Sequence, residues 1–230
     1  MRKITLFFLI AFATIGLSLP SQLSAKELQS NDNLPSRYTI EDYVRYLENY
    51  SPIDAKNGGV SEDEISDAVK ESKEVLQEFQ SLSKDEQQKF VDNLIFSDKR
   101  SLSIVTDDDI NIIKPAADKS VSYSSSVKLF SIPVATYTVN VNYKVSKGKV
   151  KKINSSNARV KRNWNPIVRT DLNTNGKNAW VTSDNKAAVT GSFYYRIGPL
   201  KDLSVQIGNV NLKAVGDKNG KRTYAKTTYD

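Results

Sequence analysis

The sequence predicts an α+β protein, in which an acidic N-terminal helical region of about three helices precedes a basic antiparallel β-sandwich. Apolar residues recur at helical spacing up to about residue 95 and at a spacing of two after about Val121. The charge changes at the same place. Residues 26–118 carry 11 basic and 21 acidic side chains, whereas residues 119–230 carry 20 basic and 5 acidic ones. The overall charge of +7 therefore hides an acidic region (26–118, with the linker) and a basic region (119–230).

The N-terminus has the three-part layout of a secretory signal peptide. Arg2 and Lys3 precede an uncharged run at residues 4–19, and Pro20 and small residues up to Ala25 follow it. The 16 residues of the run are fewer than the roughly 20 of a membrane-spanning helix, which favours cleavage over a retained anchor. Residues 1–25 are therefore predicted to be a signal peptide, and the mature protein to be secreted. The cysteine-free, Lys- and Asn-rich remainder resembles many exported Gram-positive proteins in composition alone.

Helix-capping patterns open each helix predicted in the acidic region. The caps are Thr39, Ser61 with Glu64, and Ser83 with Glu86. Apolar stripes at helical spacing follow each of them. Pro52 and the Gly58-Gly59 pair are expected to stop the first helix, and the second is expected to end near Leu82.

Short strands are predicted through the basic region. Apolar residues alternate with polar ones over residues 135–145, which predicts a strand with one buried and one wet face. Lys147-Gly148 is expected to turn the chain into the next strand. Further strands follow near residues 189–197 and 203–214, with a β-bulge at Gly208-Asn209, and a last one follows a turn at 217–220. Six to eight strands in about 110 residues favour a sandwich, and the linker adds one possible strand at 101–106.

The composition argues against catalysis. The chain has no histidine and no cysteine, which excludes an imidazole base, a thiol nucleophile, disulfides and the common zinc sites. The five acids of the basic region are scattered, and neither a GxSxG motif nor a glycine-rich phosphate loop is present. The sequence therefore predicts a protein that is not an enzyme and that needs no cofactor.

A run of basic residues is the strongest functional feature. It consists of Lys144, Lys147, Lys149, Lys151, Lys152, Arg159, Lys161 and Arg162, and Trp164 follows it. Such a run suits a polyanion, namely an anionic cell-wall polymer such as wall teichoic acid, an anionic membrane surface, an acidic glycan or nucleic acid. The Trp and Tyr side chains of a small sandwich are expected to fill its core, and Trp164 is the one that we expect at the surface if any aromatic residue is exposed. The alternative is that the lysines protect a strand edge and keep the protein soluble.

A second motif resembles the opening of a calcium loop. Asp171, Asn173, Asn175 and Gly176 follow the pattern D-x-N-x-N-G, but the twelfth position is Thr182 where a bidentate glutamate is needed. An Asn-Gly hairpin turn is therefore favoured over a calcium site. The acidic triplet at residues 107–109 is a weaker cation candidate with a polar loop as its alternative.

Two functions follow from these observations. The first is a secreted binding protein, whose basic domain adheres to an anionic polymer or surface while the acidic half docks on it or on a partner. The alternative is a secreted antibacterial or membrane-active protein, in which the acidic half is a masking pro-region.

Overall fold

The computed structural model describes residues 38–94, 103–107, 118–197 and 205–230. These residues belong to one compact unit that extends from Leu34 to Asp230. The predicted signal peptide, residues 1–25, lies outside the described residues. Among the helices that are described, none is both long and apolar enough to cross a membrane.

The described residues contain four α-helices, one more than the sequence predicts. They are α1 (Ile40–Glu48), α2 (Pro52–Asn57), α3 (Ile65–Ser81) and α4 (Lys84–Asp92), with a 3₁₀ turn at Glu62–Glu64 before α3. The unexpected helix is α2, which Pro52 begins. Ser51 caps it together with Asp54. Proline suits a first helical turn because its missing N–H has no intrahelical partner there.

Two of the three predicted caps are confirmed. The Thr39 hydroxyl accepts a hydrogen bond from the Asp42 N–H at 3.0 Å, and the Ser83 hydroxyl accepts one from the Glu86 N–H at 3.3 Å. The predicted Ser61–Glu64 capping box is wrong, since Ser61 makes no capping hydrogen bond through its side chain. The Glu64 carboxylate instead accepts a charge-assisted hydrogen bond from Arg162, which is stronger than a bond to a neutral backbone N–H.

The described residues form eight strands in two antiparallel sheets. The first sheet has the order β1 (Ser103–Asp107), β2 (Asp118–Leu129), β3 (Ile132–Ser146), β4 (Lys149–Asn163). The second has the order β5 (Val168–Val181), β6 (Ala187–Ile197), β7 (Val205–Gly216), β8 (Arg222–Tyr229). The predicted turns at 147–148 and 217–220 are confirmed, and β1 confirms the strand expected in the linker.

Side chains of the two sheets contact one another. The rings of Tyr137 on β3 and Phe193 on β6 lie 4.9 Å apart between centroids. The hydroxyls of Tyr123 on β2 and Thr227 on β8 are 2.8 Å apart. These aromatic side chains belong to a continuous hydrophobic core that also includes the buried faces of the helices.

The outer face of β3 is less wet than the alternation predicts. Thr136 and Thr138 are only 6% and 4% exposed, and α3 packs against β3 and β4. Their hydroxyls are hydrogen-bonded across to β2, at 2.9 Å to Ser126 and 3.1 Å to Ser124. The polar side chains of this face can be buried because their hydroxyls hydrogen-bond to one another, so they do not need contact with solvent.

The chain between β4 and β5 joins the helices to the sheets. The Trp164 indole N–H donates to the carbonyl of Ala68 in α3 at 3.0 Å, and the ring is 3% exposed. The Asn165 amide donates to the carbonyl of Leu94 at 2.6 Å, and the Tyr43 hydroxyl donates to the carbonyl of Trp164 at 3.3 Å. The helices bury the ring and satisfy its only polar group, so the core position expected for tryptophan is confirmed for Trp164. The choice of Trp164 as the exposed aromatic residue is wrong, since Phe130 and Tyr224 are exposed instead.

The buried tyrosines predict unfolding at high pH. Burial raises the pKa of Tyr137 and of Tyr143 to about 12, and it raises the pKa of Tyr43, Tyr50 and Tyr229 as well. An unfolded tyrosine titrates near 10.0, so these groups contribute stability that is complete below pH 10 and is lost as the pH rises towards 12.

We therefore expect the free energy of unfolding, measured by urea titration, to change little between about pH 6 and 9. Histidine and cysteine, the side chains whose ordinary pKa lies in this range, are both absent from the sequence. Above pH 10 we expect it to fall, with tyrosinate absorbance and loss of circular dichroism rising together. Full tyrosinate absorbance in a protein whose circular dichroism is still native would contradict this prediction.

Candidate functional site

The structure divides the predicted basic run into two separate parts. The run extends along β4, whose 15 residues rise about 3.3 Å each. Seven to thirteen residues separate the lysines at the start of β4 from Arg159 and Arg162 near its end, a distance of about 23 to 43 Å along the strand. One continuous basic patch is not formed, and each part has its own surroundings.

The arginine part of the run is occupied by the helical region. The Arg162 side chain is 5% exposed and forms a bidentate pair with Glu71, at 2.7 Å from Nε to Oε2 and 2.5 Å from Nη2 to Oε1. Its Nη1 also donates to Glu64 at 2.8 Å. The hydrogen bonds from Arg162 hold the pKa of Glu71 below its usual 4.5.

Arg159 joins the same ionic cluster. Its Nη1 lies 2.6 Å from the Asp63 carboxylate, and its Nε lies 3.0 Å from Glu64. Arg159 and Arg162 are thus neutralised by acids that precede or lie in α3, and Trp164 is buried beside them. These three residues do not belong to a surface that is free to bind an external polyanion, which corrects their assignment from the sequence. Lys161 between the two arginines is half-buried.

The lysine part of the run lies at the tip of the β3–β4 hairpin. Its five lysines are all exposed: Lys144, Lys147, Lys149, Lys151 and Lys152. Lys147 and Gly148 form the turn with φ values of 50° and 69°, which is the backbone of a tight hairpin. Lys149 and Lys151 flank the buried Val150 and share the outer face of β4.

The charges at this tip are largely unbalanced by acidic neighbours. Lys144 faces Lys152 in the β3–β4 register, where like charges destabilise a sheet, and it faces Asp118 in the β2–β3 register, which balances this one lysine in part. Within the described part of the chain, none of the five tip lysines has a carboxylate within salt-bridge distance.

Two further basic turns reach the same end of the sheets. The β5–β6 turn contacts the hairpin, since the Val150 N–H donates to the carbonyl of Asn185 at 3.3 Å. The β7–β8 turn contacts β3, since the Tyr143 hydroxyl donates to the carbonyl of Asp217 at 2.7 Å. We call the resulting surface the lysine-rich end. Its basic members are Lys119, Lys144, Lys147, Lys149, Lys151, Lys152, Lys186, Lys218, Lys221 and Arg222.

The described residues place three acids at this end, Asp118, Asp184 and Asp217, and Asp184 is paired with Lys186 at 2.9 Å. Sequence reasoning overlooked the lysines of the two later turns because they are 24 or more positions beyond the end of the run. The signal that locates them is the alternation of antiparallel strands, which brings every second turn to one end of a sheet.

The calcium candidates have other roles. The Asp171 carboxylate lies 2.8 Å from Arg169 Nε and accepts a hydrogen bond from the Tyr194 hydroxyl at 3.2 Å. The Asn173 amide donates to Ser192 at 2.8 Å. The described residues contain no cluster of three acidic side chains that could hold a metal ion.

The favoured alternative to calcium, a hairpin turn at Asn175-Gly176, is also wrong. Residues 168–181 form the single strand β5, and Asn175, with φ 59°, lies in an irregularity where the register shifts between Leu172 and Lys177. Asparagine tolerates this left-handed backbone, so the same residue type serves a bulge as well as a turn. Of the acidic triplet at 107–109, residues 108 and 109 lie outside the described residues.

Comparisons with protein-family models, with curated proteins and with solved structures found no match to this chain.

Proposed function

We propose that the protein is a secreted, non-enzymatic binding protein whose lysine-rich end adheres to an anionic polymer or surface. The observation that carries this proposal is the tip of the β3–β4 hairpin. Five exposed lysines lie there with no ion pair in the described structure and with Asp118, opposite Lys144, as the one acidic cross-strand neighbour. Two of the five face each other across the strands. The positive field of these lysines attracts polyanions, and a bound polyanion reduces the repulsion between the lysines.

Solubility and edge protection explain this arrangement less well. Lysines that protect a strand edge are expected along the edge itself. Lys149, Lys151 and Lys152 lie on β4, an edge strand of the first sheet, so edge protection accounts for these three. It does not account for the basic side chains of the β5–β6 and β7–β8 turns. Convergence of separate turns on one end of the sheets favours a binding surface over a general surface charge.

We further propose that the two sheets are the layers of an antiparallel β-sandwich, as the sequence predicts. The contact of Tyr137 with Phe193 supports this arrangement, as do the register and the shared core. A sandwich holds its turns at fixed positions, so the lysines of the three turns form a preorganised surface.

In this proposal the helical region occupies the arginine part of the basic run. Its acids pair with Arg159 and Arg162, which leaves the lysine-rich end as the surface for an external anion. The alternative function, a membrane-active protein with a removable acidic pro-region, requires these buried pairs and the Trp164 contacts to break. Dye release from anionic liposomes that appears only after proteolytic removal of the acidic region, in comparison with the intact mature protein, is the result that would favour that alternative.

Replacing Lys147, Lys149 and Lys151 together by glutamine tests the proposal. The probes are wall teichoic acid, phosphatidylglycerol vesicles and duplex DNA across a salt series. We expect binding at low salt to weaken about tenfold or more, and the slope of log K against log salt for DNA to fall by up to about 3, since each lost phosphate contact changes it by roughly 1. The fold is expected to stay intact because these side chains are exposed.

The matched control is the triple glutamine variant of Lys56, Lys70 and Lys73, which removes the same charge from the helical region. Equal weakening in both triple variants would mean that only net charge matters. The absence of binding by the unaltered protein to all three probes at low salt would refute the proposal. Equal binding to all three probes that is lost in the hairpin variant and kept in the control variant would support a site that binds anions without regard to their type.

A further inference from the structure

The outer face of the second sheet carries two aromatic side chains with a lysine between them. Trp180 on β5 is half-buried, and Tyr224 on β8 is 46% exposed. The Nζ of Lys213 on β7 lies 5.7 Å from the Trp180 ring centroid and 5.8 Å from the Tyr224 ring centroid. The two rings therefore flank one ammonium group on an exposed surface.

The strand register explains how these residues meet. Trp180 is opposite Ala188, Ala188 is opposite Val215, and Val215 is opposite Tyr224, so the four form one row across the sheet. Lys213 lies two residues from Val215 and projects from the same face. This row is close to the lysine-rich end, because β5 ends and β8 begins there.

A groove continues from the rings along the same face. It has a volume of about 350 Å³, and its lining includes the side chains of Thr190, Asn211, Thr228, Lys213 and Lys226. The threonines and lysines present hydroxyl and ammonium groups, which bind hydroxyls and carboxylates. The Asn211 amide is bonded within the protein, since it donates to Asp230 at 2.8 Å and accepts from Ser192 at 2.6 Å. A flat aromatic surface beside such polar groups suits a ligand with an apolar ring face and a polar rim.

The charge of the groove indicates an anionic ligand. Lys213 and Lys226 are directly opposite in the β7–β8 register, which places two like charges side by side. Across the described residues, neither lysine has a carboxylate within salt-bridge distance. An acidic group bound between the two rings would offset this repulsion.

We propose that this face, with Trp180, Lys213 and Tyr224 at its centre, binds an anionic glycan. A sugar ring packs on each aromatic ring, an acidic group of the glycan contacts Lys213, and sugar hydroxyls reach the groove. The inference rests on the proposed function and deepens it, since it identifies the anionic polymer as a glycan that continues from the lysine-rich end. Secretion, which the N-terminal sequence predicts, favours a glycan over nucleic acid as the available polymer.

The test compares three probes of matched charge: a polygalacturonate oligosaccharide, an inorganic polyphosphate and a single-stranded oligothymidylate. In the variant Tyr224→Ala we expect roughly tenfold weaker binding of the oligosaccharide, the size of effect that loss of one stacking ring produces. We expect polyphosphate binding to stay within about twofold, because polyphosphate has no ring to stack. Tyr224 is exposed at the surface, so the variant is expected to fold.

Phe130→Ala is the matched control. Phe130 is an exposed aromatic residue, 40% accessible, in the β2–β3 turn of the first sheet, at the end away from the lysine-rich end. This variant is expected to bind all three probes as the unaltered protein does. A second readout needs no variant. Trp164 is buried, so a change of tryptophan emission on adding the oligosaccharide reports Trp180, the only other tryptophan.

The outcomes separate this inference from the proposed function. Unchanged oligosaccharide binding by Tyr224→Ala, with polyphosphate still lost in the hairpin lysine variant, overturns the glycan site alone. An equal loss of oligothymidylate and oligosaccharide identifies the rings as a platform for nucleic-acid bases and also overturns it. Failure of the unaltered protein to bind any probe overturns both proposals.

Discussion

Replacement of Arg162 by leucine is expected to lower the free energy of unfolding by about 3–5 kcal/mol, the cost of removing one partner from a buried ion pair. The Glu64 side chain is 9% exposed and would keep its charge without the Arg162 guanidinium that now lies 2.8 Å away. Glu71 is more accessible, so water would hydrate its carboxylate in place of the lost bidentate partner. Urea unfolding of the two proteins at neutral pH measures the difference.

Two controls separate burial from charge. Arg45→Leu removes an exposed arginine, 3.8 Å from Asp42, and is expected to cost less than about 1 kcal/mol. The double variant Arg162→Leu with Glu64→Leu is expected to recover part of the stability, since it removes the buried Glu64 carboxylate, which the single variant leaves with Arg159 as its one arginine partner. A single variant Arg162→Leu that unfolds like Arg45→Leu would show that the cluster contributes nothing to the attachment of the helices.

Replacement of Gly59 by alanine is expected to destabilise the protein by at least about 3 kcal/mol, as the sum of backbone strain and overpacking. Gly59 has φ 89°, and a Cβ built on it overlaps the carbonyl oxygen of Thr170 on β5. That carbonyl is backbone and cannot rotate away. The neighbouring backbone is held as well, because the Thr170 N–H donates to the carbonyl of Gly58 at 3.1 Å.

Gly148→Ala is the control for the backbone conformation alone. Gly148 has φ 69°, close to that of Gly59, but a Cβ built on it has no atom within 4 Å. Its cost is expected to be about 1 kcal/mol. If the two alanine variants have equal free energies of unfolding, the close approach of the Gly59 loop to β5 does not contribute to stability.

Local patterns in the sequence were sufficient for most of the elements. Thr39 and Ser83 cap helices as predicted, because a capping box is completed within four residues. The turn at Lys147-Gly148 is likewise a property of neighbouring residues. Helix α2 belongs to the same class, since Ser51, Pro52 and Asp54 form a capping box with proline in its first turn, and the pattern was available in the sequence.

The errors occur where a distant residue changes the local choice. Glu64 leaves its capping box because Arg162, 98 positions later, offers a charged partner. Trp164 is flanked by residues typical of loops, yet the helices bury it. Asn175-Gly176 has the composition of a hairpin turn, but the pairing of β5 with β6 on both sides of it makes it an irregularity in one strand.

The sequence by itself determined the order of helices and strands and the opposite charges of the two regions. Periodicity, caps and turns depend on neighbours in the chain, and formal charge depends on residue type alone. Only the tertiary structure decided which basic residues remain at the surface. It places acids of the helical region on Arg159 and Arg162, and it gathers lysines from three turns at the other end of the strands. Neutralisation and accumulation of charge both depend on distance in space, which residue spacing does not specify.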